Sequence, residues 1–177
     1  MKMKRGCALA LLLLCLLFAG CESALPPSAT DAGELLAAIE ASQPALPPAR
    51  AVLRRDAPTG SCSSLTDPLA AKIYGAPEGA TLPVLERLTD SRIRLSAGLC
   101  GCEVHILRGS YGEDTEPLLR LCEARLELLQ KRELHLFLGE DYETYVASGR
   151  TYVKDGWVFL LLVPDPATAI TAIDEVL

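Results

Sequence analysis

RTYVKDGWVFLLLV at residues 150–163 predicts a β-hairpin, because its Asp155-Gly156 pair favours a two-residue type I′ turn. The second arm, residues 157–163, is apolar on both faces, which is typical of a central strand. The Asp165-Pro166 pair that follows is a typical helix start. We therefore expect a C-terminal helix with three apolar residues toward the core: Ile170, Ile173 and Leu177.

A second hairpin is predicted upstream of this one. Residues 92–95 alternate polar and apolar, and the alternation returns after Gly98 in a strand whose core face carries Cys102, Val104 and Ile106. The alternation turns His105 away from that face, so His105 is expected to be an ordinary surface residue.

Helical periods separate and precede the hairpins. Residues 113–131 predict a long helix with an apolar stripe of Leu118, Cys122, Leu126 and Leu129. Asp31 and Glu34 have capping-box spacing, which predicts a helix over residues 32–42. Shorter helices are expected at residues 49–55 and 67–74. Residues 133–138 fit a strand and a helix equally well.

These elements together predict an α+β fold, a two-layer sandwich. Its antiparallel sheet would have roughly four strands, from the two hairpins, packed by the long helix and the C-terminal helix. Residues 67–177 form this globular domain, and residues 32–66 precede it as an N-terminal helix with a Pro- and Ser-rich connection.

The N-terminus predicts export. Three cations in residues 2–5 precede an apolar run at residues 7–18 that is shorter than the ~20 residues of a spanning helix, so residues 1–20 are expected to be a signal peptide. The run ends in LFAGC at residues 17–21, which resembles a bacterial lipobox. Cys21 is therefore the expected lipidation site, where two or three acyl chains would hold the protein on the membrane.

The predicted position of the mature protein follows from this anchor. Residues 21–31 contain prolines and no period, and are expected to be a flexible tether. The protein would lie on the extracytoplasmic face of the cell membrane. In a cell with two membranes it would lie on the outer one, because Glu22 stands where an Asp typically signals inner-membrane retention.

Charge excludes one class of partner. Residues 1–20 hold three of the 17 Lys and Arg residues and no acid, so the rest has 14 cations, 23 anions and a formal charge of −9. Such a domain repels phosphate backbones, and nucleic acid is not expected as a partner.

Four cysteines remain in the mature chain: Cys62, Cys100, Cys102 and Cys122. In an exported domain they are disulfide candidates. Cys100 and Cys102 would lie about 6.5 Å apart on one strand face, which is too far for a disulfide between them. We therefore expect Cys122 to pair with one of them, and Cys62 with the other. Free buried thiols, and a metal site completed by His105 or His135, are the alternatives.

Several segments resemble one family of short lipoproteins from Gram-positive, clostridia-type bacteria, a domain of unknown function. They are KIYG at residues 72–75, CEVHI at 102–106, ARLELLQ at 124–130 and VKDGWVFLLLVPD at 153–165. The similarity covers residues 67–177. It implies a helix rather than a strand at residues 133–137, and it implies no catalytic residues.

No sequence motif indicates an enzyme or a cofactor, since P-loop, Rossmann, HExxH and GxSxG patterns do not occur. The expected function is a non-catalytic protein-interaction domain, and the expected partner is an envelope protein that the sequence does not identify. The alternative is a ligand-binding accessory module for transport or envelope assembly. A pocket with converging polar groups would favour the ligand, and an exposed apolar patch on an open sheet face would favour the protein.

Overall fold

A five-stranded antiparallel sheet organises the chain in the computed structural model, which describes residues 23–77, 79–97, 100–131 and 136–177. The strand order is β1-β2-β3-β5-β4, so β1 and β4 are the edges. The strands are β1 Ala49–Leu53, β2 Leu88–Ser96, β3 Glu103–Gly109, β4 Arg150–Lys154 and β5 Trp157–Leu162.

The helices that accompany the sheet, where the structure describes both of their ends, are α1 Ala32–Ser42, α2 Asp67–Tyr74, α3 Pro83–Glu86, α4 Thr115–Leu129 and α5 Pro166–Val176. A 3₁₀ turn at Gly112–Asp114 leads into α4, and a π-helical turn at Tyr142–Val146 leads toward β4. The predicted α+β class is confirmed, with both hairpins, the long helix and the C-terminal helix. The sheet has one more strand than expected.

Helices cover both faces of the sheet. On the α1/α5 face, Leu35 and Ile39 of α1 pack with Val104, Phe159 and other apolar residues. On the opposite α2/α4 face, a second core joins Leu160 to apolar residues of α2 and α4. Residues on both sides of β5 are therefore fully buried, as its two-sided apolar sequence predicts.

The first strand corrects a prediction, because residues 49–55 were expected to form a short helix. Ala49–Leu53 is instead an edge strand, antiparallel to β2, with Leu53 opposite Ile93. The sheet offers β1 backbone partners and a buried place for Leu53, which outweigh local helix preference. Residues 32–66 thus contribute a helix and a strand to the same folded body as residues 67–177.

The segment after Ser23 differs from the flexible tether expected for residues 21–31. Ala24 forms a β-bridge with Tyr111, and the Leu25 N–H donates to the Ser110 carbonyl over 2.9 Å. The Leu25 side chain lies against Gly156, where an added Cβ would come within 2.8 Å of it. Backbone hydrogen bonds and this close contact hold the segment on the domain.

The turn between β4 and β5 has the predicted conformation. Asp155 and Gly156 have φ angles of 49° and 79°, and the strands pair on either side of them. Two successive positive φ angles define a type I′ turn, whose twist matches the hairpin. A glycine is required at position 156 for two reasons: its φ angle is positive, and the Leu25 side chain leaves no room for a Cβ.

Residues 133–138 are described only in part. Leu136 and Phe137 have helical backbone, in agreement with the helix expected there. Residues 133–135 lie outside the described residues, as do Cys21 and Gly98.

Candidate functional site

A cavity of about 470 Å³ opens on the α2/α4 side of the sheet, next to the edge strand β1 and its neighbour β2. The N-terminal end of β3, the helices α2 and α4 and the segment after residue 135 complete its walls. Most of its lining is apolar: Ala51, Leu53, Leu69, Ile73, Leu95, Leu129, Phe137 and Leu138. Its charged lining residues are Arg50, Glu103 and Arg125.

A buried ion pair forms part of the cavity wall. Arg125, on α4, donates from Nε to Glu103 Oε2 over 3.0 Å and from Nη2 to Oε1 over 2.5 Å. The two side chains are 15% and 10% exposed. This two-point contact fixes the carboxylate plane and matches the fork geometry of guanidinium. It joins the start of β3 to the middle of α4.

The ion pair extends inward through two further residues. The ring of His105 lies between Glu103 and Tyr74, with Nε2 3.1 Å from Glu103 Oε2 and Nδ1 3.1 Å from the Tyr74 hydroxyl. An ionised carboxylate only accepts hydrogen bonds, so we assign the ring proton to Nε2. The Tyr74 hydroxyl then donates to Nδ1. None of the buried side-chain nitrogen and oxygen atoms of these four residues is without a hydrogen-bond partner.

The pKa shifts agree with that proton arrangement. Burial lowers the pKa of His105 against the opposing effect of Glu103, and burial raises the pKa of Tyr74 well above its ordinary value. Burial also acts to raise the pKa of Glu103, but hydrogen bonds and charges from His105 and Arg125 overcome it and lower that pKa to about 2. Glu103 and Arg125 are therefore charged, whereas His105 and Tyr74 are neutral.

The position of His105 is the main correction at this site, because it was expected on the surface. It is fully buried, since the α2/α4 helices cover the sheet face that its side chain shares with Leu107 and Leu160. Val104 and Ile106 lie on the other face, whereas Cys102 lies in the α2/α4 core with Cys122, so the three residues expected on one strand face are divided between the two cores. Alternation holds along β3, but Cys102 precedes that strand, and helices cover both faces of the sheet.

The structure gathers three of the four mature cysteines at the cavity. Cys62 is exposed, Cys100 is half-buried and Cys102 is buried, and all three line the cavity wall. Cys122 is buried in the α2/α4 core. All four thiols are free, so neither of the expected disulfides is present in the structure. Burial raises the pKa of Cys102 to about 11 and raises that of Cys122 further.

Alkylation of the cysteines tests this arrangement. We expect iodoacetamide to label Cys62 first in the native protein, because it is exposed and because buried thiols with raised pKa values form little thiolate. All four cysteines should react in denaturant without reductant, as peptide mapping would show. Labelling of Cys122 only after reduction would contradict the structure and restore the disulfide predicted from sequence.

The metal alternative has no support in the described residues, where no group of three or more His, Cys, Asp or Glu side chains converges on a common point. His135, the other histidine considered for it, lies outside the described residues. None of the helices within the described ranges is long and apolar enough to cross a membrane.

Comparison with known proteins adds no assignment, since no protein-family model, curated protein or solved structure matches the chain. The resemblance to clostridia-type lipoproteins stays a prediction. A proposal for the function therefore has to be argued from the fold and the cavity of this protein alone.

Proposed function

We propose that the protein is a membrane-anchored module that binds a small, largely apolar ligand with one acidic group in the 470 Å³ cavity. Cys21 carries the acyl chains, and the domain lies on the extracytoplasmic face of the membrane, or on the outer membrane of a cell that has two. The role is accessory and non-catalytic. The lipobox at residues 17–21 supports the anchor, and the cavity supports the ligand.

The single observation that supports ligand binding is the size of the cavity together with its mainly apolar lining. Its volume lies within the roughly 300–1,000 Å³ typical of small-molecule sites, and a mainly apolar lining with few polar groups is their usual composition. Glu103 already neutralises Arg125. Arg50 has no ion-pair partner within the described ranges, which leaves it to meet an acidic group.

Sheet coverage favours the ligand over the protein partner among the two functions expected from sequence. An open apolar sheet face would have favoured a protein partner, but helices cover both faces. One observation keeps the protein partner as a second candidate, because Leu136 and Phe137 are 77% and 64% exposed. An envelope protein that binds there would contact the mouth of the cavity, since Phe137 also lines it.

The non-catalytic role rests on the state of the buried network. Both ring nitrogens of His105 are engaged, and its neighbour Tyr74 is 4% exposed. A general base must reach a substrate proton, and this ring reaches only Glu103 and Tyr74. The network thus serves to fix one wall of the cavity.

A cavity-filling variant tests ligand binding. We expect the ¹⁹F signal of 4-fluorobenzoate, an apolar ring with one carboxylate, to broaden saturably with the full chain in mild detergent. Ala51→Phe should weaken this binding by about tenfold or more, roughly 1.4 kcal/mol, because its ring occupies space beside Leu95.

The control is Ala37→Phe, which adds the same ring at an exposed position of α1 on the opposite face. Its affinity should equal that of the wild type. Equal affinities in both variants, or no saturable broadening with the wild type, would reject the cavity as the ligand site.

A further inference from the structure

The edge strand β1 contains an extra residue beside the 470 Å³ cavity. Ala49 lies opposite Ser96, and Ala51 lies opposite Leu95. Two steps along β1 thus match one step along β2, which leaves Arg50 without a partner in the ladder. A β-bulge of this kind bends the strand and re-aims a side chain. Neighbouring residues of a regular strand face opposite sides of a sheet, but Arg50 and Ala51 both line the cavity. The bulge therefore accounts for the presence of a cation there.

The backbone of β1 is open along part of its outer edge. Arg54 donates its N–H to the Ser63 carbonyl over 2.8 Å and accepts from the Leu65 N–H over 3.0 Å, so both of its groups point away from β2. Backbone groups of an antiparallel strand alternate in direction from one residue to the next. Those of Val52, two residues earlier, therefore also point outward, and no other described residue forms a backbone hydrogen bond with them. Such an edge can pair with a further strand.

The open part of this edge is short and is closed at one end. Residues 63–65 occupy the edge at Arg54, so an added strand can pair only as far as Val52. A chain that continued would have to leave the sheet there, whereas a chain that ends there would not. Cys62, from the same closing loop, lines the cavity, so the end of an added strand would lie beside the cavity. The geometry thus favours a chain terminus over an internal segment.

The charges at the cavity suit a carboxylate at that terminus. Glu103 is already bound at two points by Arg125. Arg50 is exposed and has no ion-pair partner within the described ranges. A guanidinium binds a carboxylate through two parallel hydrogen bonds. The charge that remains accessible is therefore positive, and it lies next to an apolar lining that can receive the last side chain of the strand.

We propose that β1 and the cavity bind the C-terminus of a partner protein as an added strand. Its backbone pairs with the outward groups of Val52, its last side chain is apolar and enters the cavity, and its terminal carboxylate binds Arg50. Strand addition takes affinity from main-chain hydrogen bonds and specificity from pockets for side chains. Because this is the cavity of the proposed function, the apolar ligand with one acidic group is then a chain end, and the inference rests on that function.

Fluorescence anisotropy of a labelled peptide tests the inference. The probe is a hexapeptide of glycine, serine, threonine, valine, threonine and leucine, in that order, with fluorescein at its N-terminus and a free C-terminal carboxylate. We expect it to bind the full chain saturably in mild detergent, and at least tenfold more weakly when an amide replaces the carboxylate. N-methylation of successive backbone nitrogens should weaken binding at alternate positions only, because every second N–H of an added strand faces β1. Equal losses at all positions would contradict strand addition.

Arg50→Met tests the ion pair from the side of the protein. Because Arg50 is exposed, the variant should fold, and it should bind the carboxylate peptide at least tenfold more weakly than the wild type. The amide peptide should bind both proteins equally. The matched control is Arg150→Met, which changes the exposed first residue of the other edge strand, β4, and should leave binding unchanged. Equal affinities of the wild type and Arg50→Met for the carboxylate peptide would overturn the inference.

Competition with 4-fluorobenzoate separates this inference from the proposed function. The peptide should displace the fluorobenzoate, because its last side chain occupies the same cavity. If fluorobenzoate binds and the peptide does not, the cavity stays a ligand site and strand addition is wrong. If the peptide binds without displacing fluorobenzoate, it lies elsewhere and the inference is also wrong. If neither compound binds, both the inference and the proposed function fail.

A second copy of the chain is the alternative occupant of this edge. Sedimentation velocity of the wild type in the same detergent should show a monomer. A dimer that excess peptide does not dissociate would assign the edge to pairing between two copies and would overturn the inference.

Discussion

Arg125→Met is expected to destabilise the protein by about 3–5 kcal/mol, the usual cost of removing one partner from a buried ion pair. The Glu103 carboxylate would lose both hydrogen bonds from the guanidinium while it stays largely buried. It would keep the bond from His105, whose burial opposes a positive charge there. Urea unfolding followed by circular dichroism measures the difference.

Arg120→Met is the matched control, because Arg120 lies on the same helix and pairs with Glu116 across one turn. These two side chains are 72% and 61% exposed, and such a pair contributes about 0.3–0.5 kcal/mol. Equal effects of the two substitutions would show that the Glu103–Arg125 pair is not buried as described.

Acid should reduce the difference in the free energy of unfolding between the wild type and Arg125→Met. The pKa of Glu103 is lowered from an ordinary 4.5 to about 2 in the folded protein. The stability that this depressed pKa contributes is present above about pH 4.5 and is lost as the pH falls toward 2. The gap between the two proteins should therefore narrow over that range.

Phe159→Ala and Leu160→Ala should each destabilise the protein strongly, by about 3–5 and 2–5 kcal/mol respectively. The two residues are neighbours on β5, are fully buried and point to opposite faces. Each truncation leaves a cavity in a different core. Urea unfolding again measures the loss.

Val153→Ala serves as the control for these truncations, because Val153 lies on the edge strand β4 and is 39% exposed. It should cost less than about 1 kcal/mol, as partly exposed positions usually do. If either Phe159→Ala or Leu160→Ala were as mild as this control, the corresponding sheet face would not be covered by helices.

Local sequence predicted most elements of the fold. The Asp155-Gly156 turn, the two-sided apolar strand β5, the capping box of α1 and the stripe of α4 each depend on residues within a few positions of one another. Hydrogen bonds and helical or strand periodicity act at that range, so a sequence window contains the information.

The buried network could not be predicted in the same way. His105 lies 31 residues from Tyr74, and Glu103 lies 22 residues from Arg125. The EVH pattern fits an exposed strand face just as well, because its burial depends on which helices pack over it. The sequence did contain one signal, which is a glutamate two residues before a histidine on a central strand. Two such side chains lie on the same face and bind each other if helices cover that face.

Contacts between residues far apart in sequence also explain why β1 and the N-terminal segment were not predicted. Ala49–Leu53 becomes a strand through pairing with β2, some forty residues later in the chain. Ser23 to Leu25 binds beside Tyr111 and Gly156, which no local pattern indicates. The segment was expected to be flexible from composition alone, which does not include the surface that receives it.

The intact mass of the protein in the membrane fraction tests the proposed anchor most directly. We expect a mature chain that begins at Cys21 and carries diacylglycerol, and we expect Cys62→Ser, which changes an exposed thiol, to be processed identically. Cys21→Ser should lose the lipid and the membrane association. A full-length wild-type chain in the cytosol, with Met1 present and no lipid, would contradict the account.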